Sequence, residues 1–163
     1  MDTFDARQFR DILGLVPTSV VVVTGFDVDG APQGITIGSF VSVSLHPPLV
    51  GFLPGVTSQT WNAVEPTQRF CINVLAENQS DLCWRFAQEA ENRFEGVEWM
   101  PSVNGAPALA GSLAYIDCTL HSNDMFGDHY FVVGEVTNLR SGDNGETAMA
   151  FYRGKVVGVS RPA

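Results

Sequence analysis

The chain has 163 residues, of which 45% are hydrophobic and 17% are charged, a composition typical of a globular protein rather than a disordered one. It carries 9 basic and 18 acidic residues, a net charge of −9, and has no basic cluster, so nucleic acids and anionic membrane surfaces are excluded as expected partners. No apolar run approaches the ~18 residues of a membrane span, and the length predicts one domain over residues 1–163.

The first part of the chain predicts a short helix followed by a buried strand. Residues 5–13 have a helical spacing of apolar side chains. The side chains expected on the buried side of this helix are Phe9, Ile12 and Leu13. The β-branched run SVVVVT within residues 18–27 predicts a fully buried strand, and Asp29-Gly30 is a hairpin turn signal that leads into the next strand.

Residues 34–48, GITIGSFVSVSLHPP, are the most informative segment, because the alternation predicts a strand with two different faces. The apolar face, expected in a core, comprises Ile35, Ile37, Val41, Val43 and Leu45, with Ser39 out of pattern. The other face comprises Gly34, Thr36, Gly38, Ser42 and Ser44, with Phe40 among them. This second face is small, uncharged and rich in hydroxyls, which suits a surface that a flat polar molecule approaches closely. The two prolines then end the strand pairing.

The remainder of the chain predicts mainly strands. Strands are expected over residues 49–53, 69–76, 112–121, 129–139 and 148–160, the last interrupted at Arg153-Gly154. Residues 58–64 predict one or two helical turns, and Asn78 or Ser80 is expected to cap a helix that runs to about residue 88. The inward side chains of that helix are expected to be Leu82, Cys83 and Phe86. Residues 93–109 predict a long loop.

Strands that do not alternate with long helices disfavour a parallel βαβ sheet. The pattern predicts a mainly β protein, a closed antiparallel barrel with a few short helices. The three cysteines, Cys71, Cys83 and Cys118, form no CxxC pair, so reduced core thiols and a cytoplasmic location are expected. The three histidines are scattered and lack the spacing of a zinc site, so no metal is expected.

Two short motifs carry chemistry, although each also has an ordinary structural interpretation. Ser58-Gln59-Thr60 begins a short helix, where hydroxyls act as N-caps but where free N–H groups also bind phosphate. His129 follows the Gly127-Asp128 turn at the start of a strand. It is either a hydrogen-bonded residue at a strand edge or a functional histidine at the mouth of the barrel. The glycine-rich dinucleotide and triphosphate motifs are both absent.

In their order and spacing, these segments resemble the short-chain flavin reductases, the reductase components of two-component flavin-dependent monooxygenases. The resemblance covers nearly the whole chain. It is carried by residues 16–24, GITIGSFVSVSLHPPL (34–49), SQTW (58–61), RFCINVLAENQ (69–79), GDHYFVVGEV (127–136) and FYRG (151–154). Each motif alone is weak, and their order makes the resemblance specific.

The resemblance implies a split β-barrel of the Greek-key, FMN-binding type that forms a homodimer. It also implies an NAD(P)H:flavin oxidoreductase that binds FMN or FAD, takes NADH or NADPH as co-substrate and passes reduced flavin to a partner monooxygenase. Hydride transfer requires the nicotinamide and flavin rings to stack at about 3–3.5 Å. The protein contributes positions and dipoles, since the cofactors carry the chemistry.

The resemblance also implies a set of site residues. Those that would contact the flavin ring and ribityl chain are Thr36, Ile37, Gly38, Ser39, Phe40 and Ser42. Those near the flavin phosphate are Ser58, Thr60 and, by analogy, Asn73. Arg93 and Phe94 match a loop that closes over the distal part of the flavin, whereas His129, Tyr152 and Arg153 match the nicotinamide side. His129 is expected to place the nicotinamide rather than act as a base.

Two departures from the family pattern bear on flavin binding. Many relatives carry serine or alanine where this chain has Ile37-Gly38, and Gly38 removes a side chain that would face the ring. The basic residue that often precedes the Ser-x-Thr block is absent, since the chain reads PGVT over residues 54–57. Phosphate binding would then depend more on N–H and hydroxyl donors.

Three alternatives stay open at the level of sequence. One is a related flavoenzyme of the pyridoxamine-oxidase type, and a second is a flavin-binding electron carrier without a nicotinamide site. The third is a structural barrel without a ligand, which leaves the hydroxylated face of residues 34–48 unexplained.

Overall fold

The computed structural model describes residues 3–143 and 147–162, within which the chain forms twelve strands and three α-helices. The strands are β1 (Thr18–Ser19), β2 (Val21–Phe26), β3 (Pro32–Ile37), β4 (Val41–Ser44), β5 (Leu49–Phe52), β6 (Arg69–Val74), β7 (Trp99–Pro101), β8 (Pro107–Leu109), β9 (Ala114–Phe126), β10 (His129–Ser141), β11 (Ala148–Tyr152) and β12 (Lys155–Val159). The α-helices are α1 (Ala6–Leu13), α2 (Gln59–Val64) and α3 (Ser80–Ala87), and 3-10 turns cover Glu65–Thr67 and Glu77–Gln79. Over the described ranges, none of the helices combines the length and the apolar character needed to cross a membrane.

Local sequence signals account for the hairpin between β2 and β3. The Asp27 carboxylate accepts hydrogen bonds from the N–H groups of Asp29, at 3.0 Å, and Ala31, at 2.8 Å. Gly30 has a φ of 83°, in the left-handed region that glycine tolerates without strain. The turn predicted from Asp29-Gly30 is therefore confirmed.

Seven strands form one antiparallel sheet in the order β3-β2-β6-β9-β10-β5-β4. Although β3 and β4 are consecutive in the chain, they form the two opposite edges of this sheet. Residues 38–40 link the edges, and the Ser39 hydroxyl accepts a hydrogen bond from the Leu53 N–H at 2.9 Å. The sheet therefore curls on itself, and the predicted antiparallel barrel is confirmed.

The single strand predicted over residues 34–48 is wrong, because β3 ends at Ile37 and β4 begins at Val41. The apolar face is likewise buried only in part. Ile37 lies in the core, whereas Val41, Val43 and Leu45 are 45%, 42% and 76% exposed. Alternation is a local pattern, so it does not reveal that the chain crosses between the edges of a barrel.

Two smaller sheets flank the barrel. One has the order β1-β11-β12 and the other is the hairpin β7-β8. Arg153 and Gly154 form the turn between β11 and β12 with φ values of 49° and 76°, which confirms the interruption predicted there. The β7-β8 hairpin lies within residues 93–109, so the loop predicted over that range is partly ordered into strands.

Aromatic rings fill the interior of the barrel. Phe52, Trp61 and Phe70 are each no more than 1% exposed. Their ring centroids lie 5.1 to 5.6 Å apart in edge-to-face pairs. Because Trp61 belongs to α2, this packing fixes the short helix against the barrel.

Strand β2 is buried on both of its faces, as its continuous run of valines predicts. Val21 and Val23 belong to the barrel interior. Val20, just before the strand, and Val22 belong to a second cluster, which includes Phe86 of α3. The second cluster holds α3 against the outside of the barrel.

The helix predicted over residues 5–13 is confirmed as α1, with Asp5 as its N-cap. The burial predicted for its apolar face is wrong within this chain, since Phe9, Ile12 and Leu13 are 52%, 58% and 49% exposed. Helical spacing marks one apolar face but does not identify the surface that covers it. The described part of this chain does not cover it.

The start of α3 also differs from the prediction. Gln79, rather than Asn78 or Ser80, precedes the helix. Its side chain accepts a hydrogen bond from the Ala76 N–H at 3.0 Å and donates one to the Ala110 carbonyl at 2.8 Å. The inward side of α3 agrees better with the prediction, since Cys83 and Phe86 are buried.

Candidate functional site

Two adjoining clefts open between β3, α2 and the segment that follows α3. The larger has a volume of about 880 Å³ and the smaller about 280 Å³. Both are lined by Thr60, Glu89 and Arg93. The larger volume falls within the range of small-molecule and cofactor sites.

The start of α2 brings hydrogen-bond donors to the smaller cleft. Ser58 caps the helix, because its hydroxyl accepts a hydrogen bond from the Trp61 N–H at 3.2 Å. The next N–H, that of Gln59, donates to Oε1 of Glu89 at 3.2 Å. Ser58 and Thr60 are buried, which fits the anchoring of Trp61 in the barrel. The helical turns predicted over residues 58–64 are therefore confirmed.

Arg93 brings a cation to the same place, across 33 residues of sequence. Its guanidinium donates hydrogen bonds to the Thr60 hydroxyl and to the Gln88 carbonyl, the latter at 3.1 Å. Burial lowers the pKa of Arg93, and the nearby Glu89 carboxylate opposes that shift. Arginine nevertheless stays charged at any physiological pH. A half-buried cation beside hydroxyls is a donor set suited to an anion.

Phe94 fixes the position of the loop that carries Arg93. Its ring packs at 5.0 Å from Phe86 and at 6.3 Å from Trp99, both edge-to-face. It also lies close to Gly34, where an added Cβ would meet Phe94 at 3.3 Å and Phe86 at 2.8 Å. The absence of a side chain at Gly34 thus allows the rings of Phe86 and Phe94 to pack against β3.

Four side chains of the segment 36–40 are engaged by the protein itself, those of Thr36, Ile37, Ser39 and Phe40. The Thr36 hydroxyl donates to the Cys83 carbonyl of α3 at 2.7 Å, although Thr36 also lines the smaller cleft. Ile37 is 4% exposed and belongs to the barrel interior, against which Phe40 also packs. Ile37 and Phe40 therefore support this segment from within, and Ile37 offers a ligand only its backbone groups.

Gly38 and Ser39 form the bend between β3 and β4. Gly38 is exposed, and an added Cβ there would lie 3.2 Å from the Thr18 hydroxyl. The Ser39 hydroxyl is held by the Leu53 backbone. The bend consequently presents mainly backbone to solvent.

Six of the expected flavin-contacting residues line neither cleft: Ile37, Gly38, Ser39, Phe40, Ser42 and Asn73. Ser42 is exposed on β4, where it pairs with Val50 of β5, and it lines neither cleft. Asn73 is 0% exposed. Its amide nitrogen donates to the Val22 carbonyl and the Thr24 hydroxyl, and its oxygen accepts from the Leu109 N–H. The structure places Asn73 in the core, where its amide is fully used.

His129 lies at the base of the β9–β10 hairpin turn, beside the smaller cleft. It forms an isolated bridge with Gly55, which lines that cleft. Its Nδ1 lies 2.7 Å from the Asp128 carboxylate, and this hydrogen bond lowers the pKa of Asp128. Since Asp128 occupies one ring nitrogen, the other stays available to a ligand.

Tyr152 and Arg153 lie at the turn between β11 and β12. The Arg153 N–H donates to the Gly14 carbonyl at 3.2 Å, and its guanidinium lies 5.6 Å from the centre of the Tyr152 ring. Neither residue lines either cleft. In this chain they adjoin the end of α1 rather than His129.

The three cysteines are free and buried, as predicted. Burial is the main cause of a raised pKa at each thiol, and it raises the pKa of Cys118 to about 12. Within residues 3–143 and 147–162, no three or more His, Cys, Asp or Glu side chains group in a way that could hold a metal ion.

The sequence interpretation missed Glu89 and Gln59 as members of the site. Glu89 lies four residues before Arg93, and both follow α3, so their proximity to each other is a local signal. Their contacts with α2 are not local, because 30 residues separate Gln59 from Glu89. No spacing in the sequence indicates that this loop folds back onto the Ser58–Thr60 turn.

Comparisons with known proteins agree with this fold. The family model described as "Flavin reductase like domain" matches residues 13–160. A reductase subunit of a flavin-dependent monooxygenase, HsaB of Rhodococcus jostii, is 44% identical over 97% of this chain and 80% of its own.

Two solved structures are also similar. A homologue of nitrilotriacetate monooxygenase component B from Mycobacterium thermoresistibile has a TM-score of 0.90 and 40% identity, over 96% of this chain and 90% of its own. An NADH:FAD oxidoreductase of Streptomyces globisporus, solved with NAD and FAD fragments, has a TM-score of 0.88 and 33% identity, over 100% of this chain and 96% of its own. The matched residues 13–160 run from the last residue of α1 to just beyond β12, so this chain belongs to the flavin reductase-like family and is an oxidoreductase that reduces flavin.

Proposed function

We propose that this chain uses NADH or NADPH to reduce FMN or FAD and releases the reduced flavin to a separate monooxygenase. The observation that carries the proposal is the convergence of Arg93, Thr60 and Ser58 on one cleft. The relatives support the partner, since HsaB is named as a reductase subunit of a flavin-dependent monooxygenase. The Streptomyces structure, with its NAD and FAD fragments, supports the two nucleotides.

The donor set fits the phosphate end of a flavin. A phosphate needs positive charge and several N–H or O–H donors, which Arg93, Thr60 and the Gln59 N–H supply here. Arg93 is the basic side chain among the residues that line the two clefts. It therefore supplies the charge that the sequence segment before Ser58 lacks.

The flavin ring would lie along the segment 36–39, beyond the phosphate. Thr36 lines the smaller cleft, and the exposed Gly38 leaves the backbone open to a flat ring. N–H groups along this segment would donate to the polar edge of the ring. Such donors stabilise negative charge as it develops. Arg93 and Phe94 would then enclose the distal part of the flavin.

The nicotinamide dinucleotide would approach from the side of His129. The bound cofactors supply the redox chemistry, in which the reduced nicotinamide gives a hydride and the flavin accepts it. His129 would bind and orient the dinucleotide, and Asp128 would hold the imidazole in place. Tyr152 and Arg153 adjoin the end of α1, whose exposed apolar side chains would meet a second copy of the chain, so a role for them would involve that copy.

We also propose a homodimer of one-domain chains that resides in the cytoplasm. Exposed apolar side chains on α1 and β4 support the dimer, since each of these elements carries a row of them. Free cysteines support a reducing compartment. Sedimentation of the purified protein should give twice the mass of 17.6 kDa, and a single-chain mass would contradict the dimer.

The experiment that tests the proposed activity follows NADH and NADPH absorbance in the presence of FMN, FAD or riboflavin. We expect rapid oxidation, and under anaerobic conditions we expect bleaching of flavin in large excess over the protein. Bleaching of excess flavin shows that reduced flavin leaves the enzyme. A tightly bound flavin without turnover would instead indicate a carrier, and a protein that binds no flavin would contradict both functions.

A further inference from the structure

The Glu89 carboxylate lies beside the start of α2, where a phosphate would find its donors. Its Oε1 accepts the hydrogen bond of the Gln59 N–H at 3.2 Å. That N–H lies between the buried hydroxyls of Ser58 and Thr60. Glu89 also lines the larger cleft, so its side chain stands where the two clefts meet.

Arg93 is near Glu89 but is not paired with it directly. Its guanidinium hydrogen bonds go to Thr60 and to the Gln88 carbonyl. Over the described residues, the ion pairs within 4.0 Å are Arg7–Asp11 and Asp128–His129. Glu89 is thus directed at the Gln59 N–H rather than at the guanidinium.

Two negative groups cannot use these donors together without repulsion. A phosphate placed between Arg93 and the Gln59 N–H would lie within a few ångströms of the Glu89 carboxylate. Like charges at such distances repel even in water, and they repel more strongly in a partly enclosed cleft. Glu89 is exposed, so its side chain is able to swing out into solvent.

We propose that Glu89 is an internal competitor for the flavin phosphate, which must displace this carboxylate from the Gln59 N–H in order to bind. This inference rests on the proposed flavin reductase function and identifies Glu89 as a residue that sets flavin specificity and affinity. Its consequence is that the phosphorylated flavins gain less affinity over riboflavin, which lacks the phosphate, than Arg93 and the N–H donors would otherwise give them. Weak binding suits a flavin that arrives and leaves as a substrate.

The opposite role would be that of a positioning residue, in which Glu89 holds Arg93 ready for the phosphate. The two roles predict opposite changes in FMN affinity when the Glu89 charge is removed. Removing the charge strengthens FMN binding if Glu89 competes, and weakens it if Glu89 positions Arg93. The contacts favour competition, because Arg93 donates its hydrogen bonds to the Thr60 hydroxyl and the Gln88 carbonyl rather than to Glu89.

The test measures equilibrium dissociation constants of FMN and riboflavin, by flavin fluorescence, for the wild type and for Glu89→Gln. We expect Glu89→Gln to bind FMN about tenfold more tightly while riboflavin binding stays within a factor of two, an effect of the size of one removed like charge. Glu98→Gln is the matched control, since Glu98 is exposed and lines neither cleft. It makes the same change in net charge and should leave the ratio of the two constants unchanged.

Weaker FMN binding by Glu89→Gln, or an unchanged ratio of FMN to riboflavin affinity, overturns the inference. Glu89→Ala also removes the charge and must act in the same direction, so a folding defect in one variant leaves the other as a test. The proposed function fails separately, if the wild type oxidises neither NADH nor NADPH with any flavin. A wild type that turns over flavin, combined with an unchanged affinity ratio, rejects the role of Glu89 alone.

Discussion

At the scale of single residues, the site brings two neighbouring charges, Glu89 and Arg93, onto the start of α2, from which 30 to 33 residues of sequence separate them. The composition indicates an acidic chain with few cations, and the structure brings one of those cations, Arg93, onto the Thr60 hydroxyl. Glu89 stands beside it on the Gln59 N–H. Under the proposed function, the balance between these two opposite charges would determine how strongly a phosphate is held.

His129 should act on the nicotinamide rather than on the flavin. It is exposed beside the smaller cleft and is oriented by Asp128. Replacing His129 with alanine should therefore raise the KM for NADH or NADPH by about tenfold, the effect of one lost hydrogen bond to a charged group. Flavin affinity should change by less than twofold. Steady-state kinetics and flavin titration measure the two effects separately.

The control for this prediction is His121→Ala, since His121 is an exposed histidine of β9 that lines neither cleft. It should leave both constants near the wild-type values. A KM unchanged by His129→Ala would remove the proposed role in placing the nicotinamide.

At the scale of secondary-structure elements, a buried polar network joins the β7-β8 hairpin to the barrel. The Thr24 hydroxyl on β2 is hydrogen-bonded to the Pro107 carbonyl, and Asn73 on β6 accepts from the Leu109 N–H at 2.8 Å. The Asn73 amide also donates to Thr24 at 2.9 Å. Two residues of the barrel therefore satisfy the backbone of β8.

Asn73→Ala should lower the free energy of unfolding by about 2–3 kcal/mol, because it leaves the buried Leu109 N–H without a partner. The flavin affinity of the folded variant should stay at the wild-type value, since Asn73 is enclosed in the core. Urea denaturation gives the first quantity and flavin titration the second. Asn78→Ala, at an exposed position, is the control and should change stability by no more than about 0.5 kcal/mol. Normal stability with weakened flavin binding would place Asn73 at the ligand instead.

Elements whose signals are local could be predicted from the sequence. Asp5 caps α1, Ser58 caps α2, and Asp29-Gly30 forms its hairpin, each through hydrogen bonds or dihedrals that span a few residues. The break between β3 and β4 within residues 34–48 could not be predicted in this way, because the alternation continues across the bend at Gly38 and Ser39. Closure of the barrel, which is not local, assigns β3 and β4 to opposite edges of the sheet.

At the scale of the whole molecule, the net charge of −9 opposes the binding of anionic nucleotides. Arg93 lines the clefts together with three carboxylates, Glu89, Glu91 and Glu95, so its attraction for an anion acts only at short range. The barrel supplies the frame that fixes this cation, since α2 is anchored by Trp61 and the Arg93 loop by Phe94. The fold class was accessible from the sequence, but the contact between Arg93 and Thr60 was not, because 33 residues separate them in the chain.

The global stability should depend on pH through the buried thiols. In the folded state burial raises the pKa of Cys71, Cys83 and Cys118 from the ordinary value of 9.0, so these thiols stay protonated. In the unfolded chain they ionise near that ordinary value, and unfolding then releases protons. The free energy of unfolding should therefore fall as the pH rises from about 8.5 to 10.

Urea denaturation between pH 7 and about 10 measures this dependence. Cys118→Ala should reduce the slope, because it removes one of the contributing thiols and leaves other groups that titrate in the same range unchanged. An identical slope in the wild type and in Cys118→Ala would show that Cys118 does not contribute.

The most direct test of the account is the effect of Arg93→Ala on the binding of FMN and riboflavin, with Arg161→Ala as a control of equal charge at an exposed position outside the clefts. If Arg93 binds the flavin phosphate, Arg93→Ala should weaken FMN binding by about tenfold or more and riboflavin binding by less than twofold, the loss expected for one charge-assisted hydrogen bond. The control should bind both flavins as the wild type does. Equal loss of both flavins, or no loss of FMN, would contradict a phosphate site at Arg93.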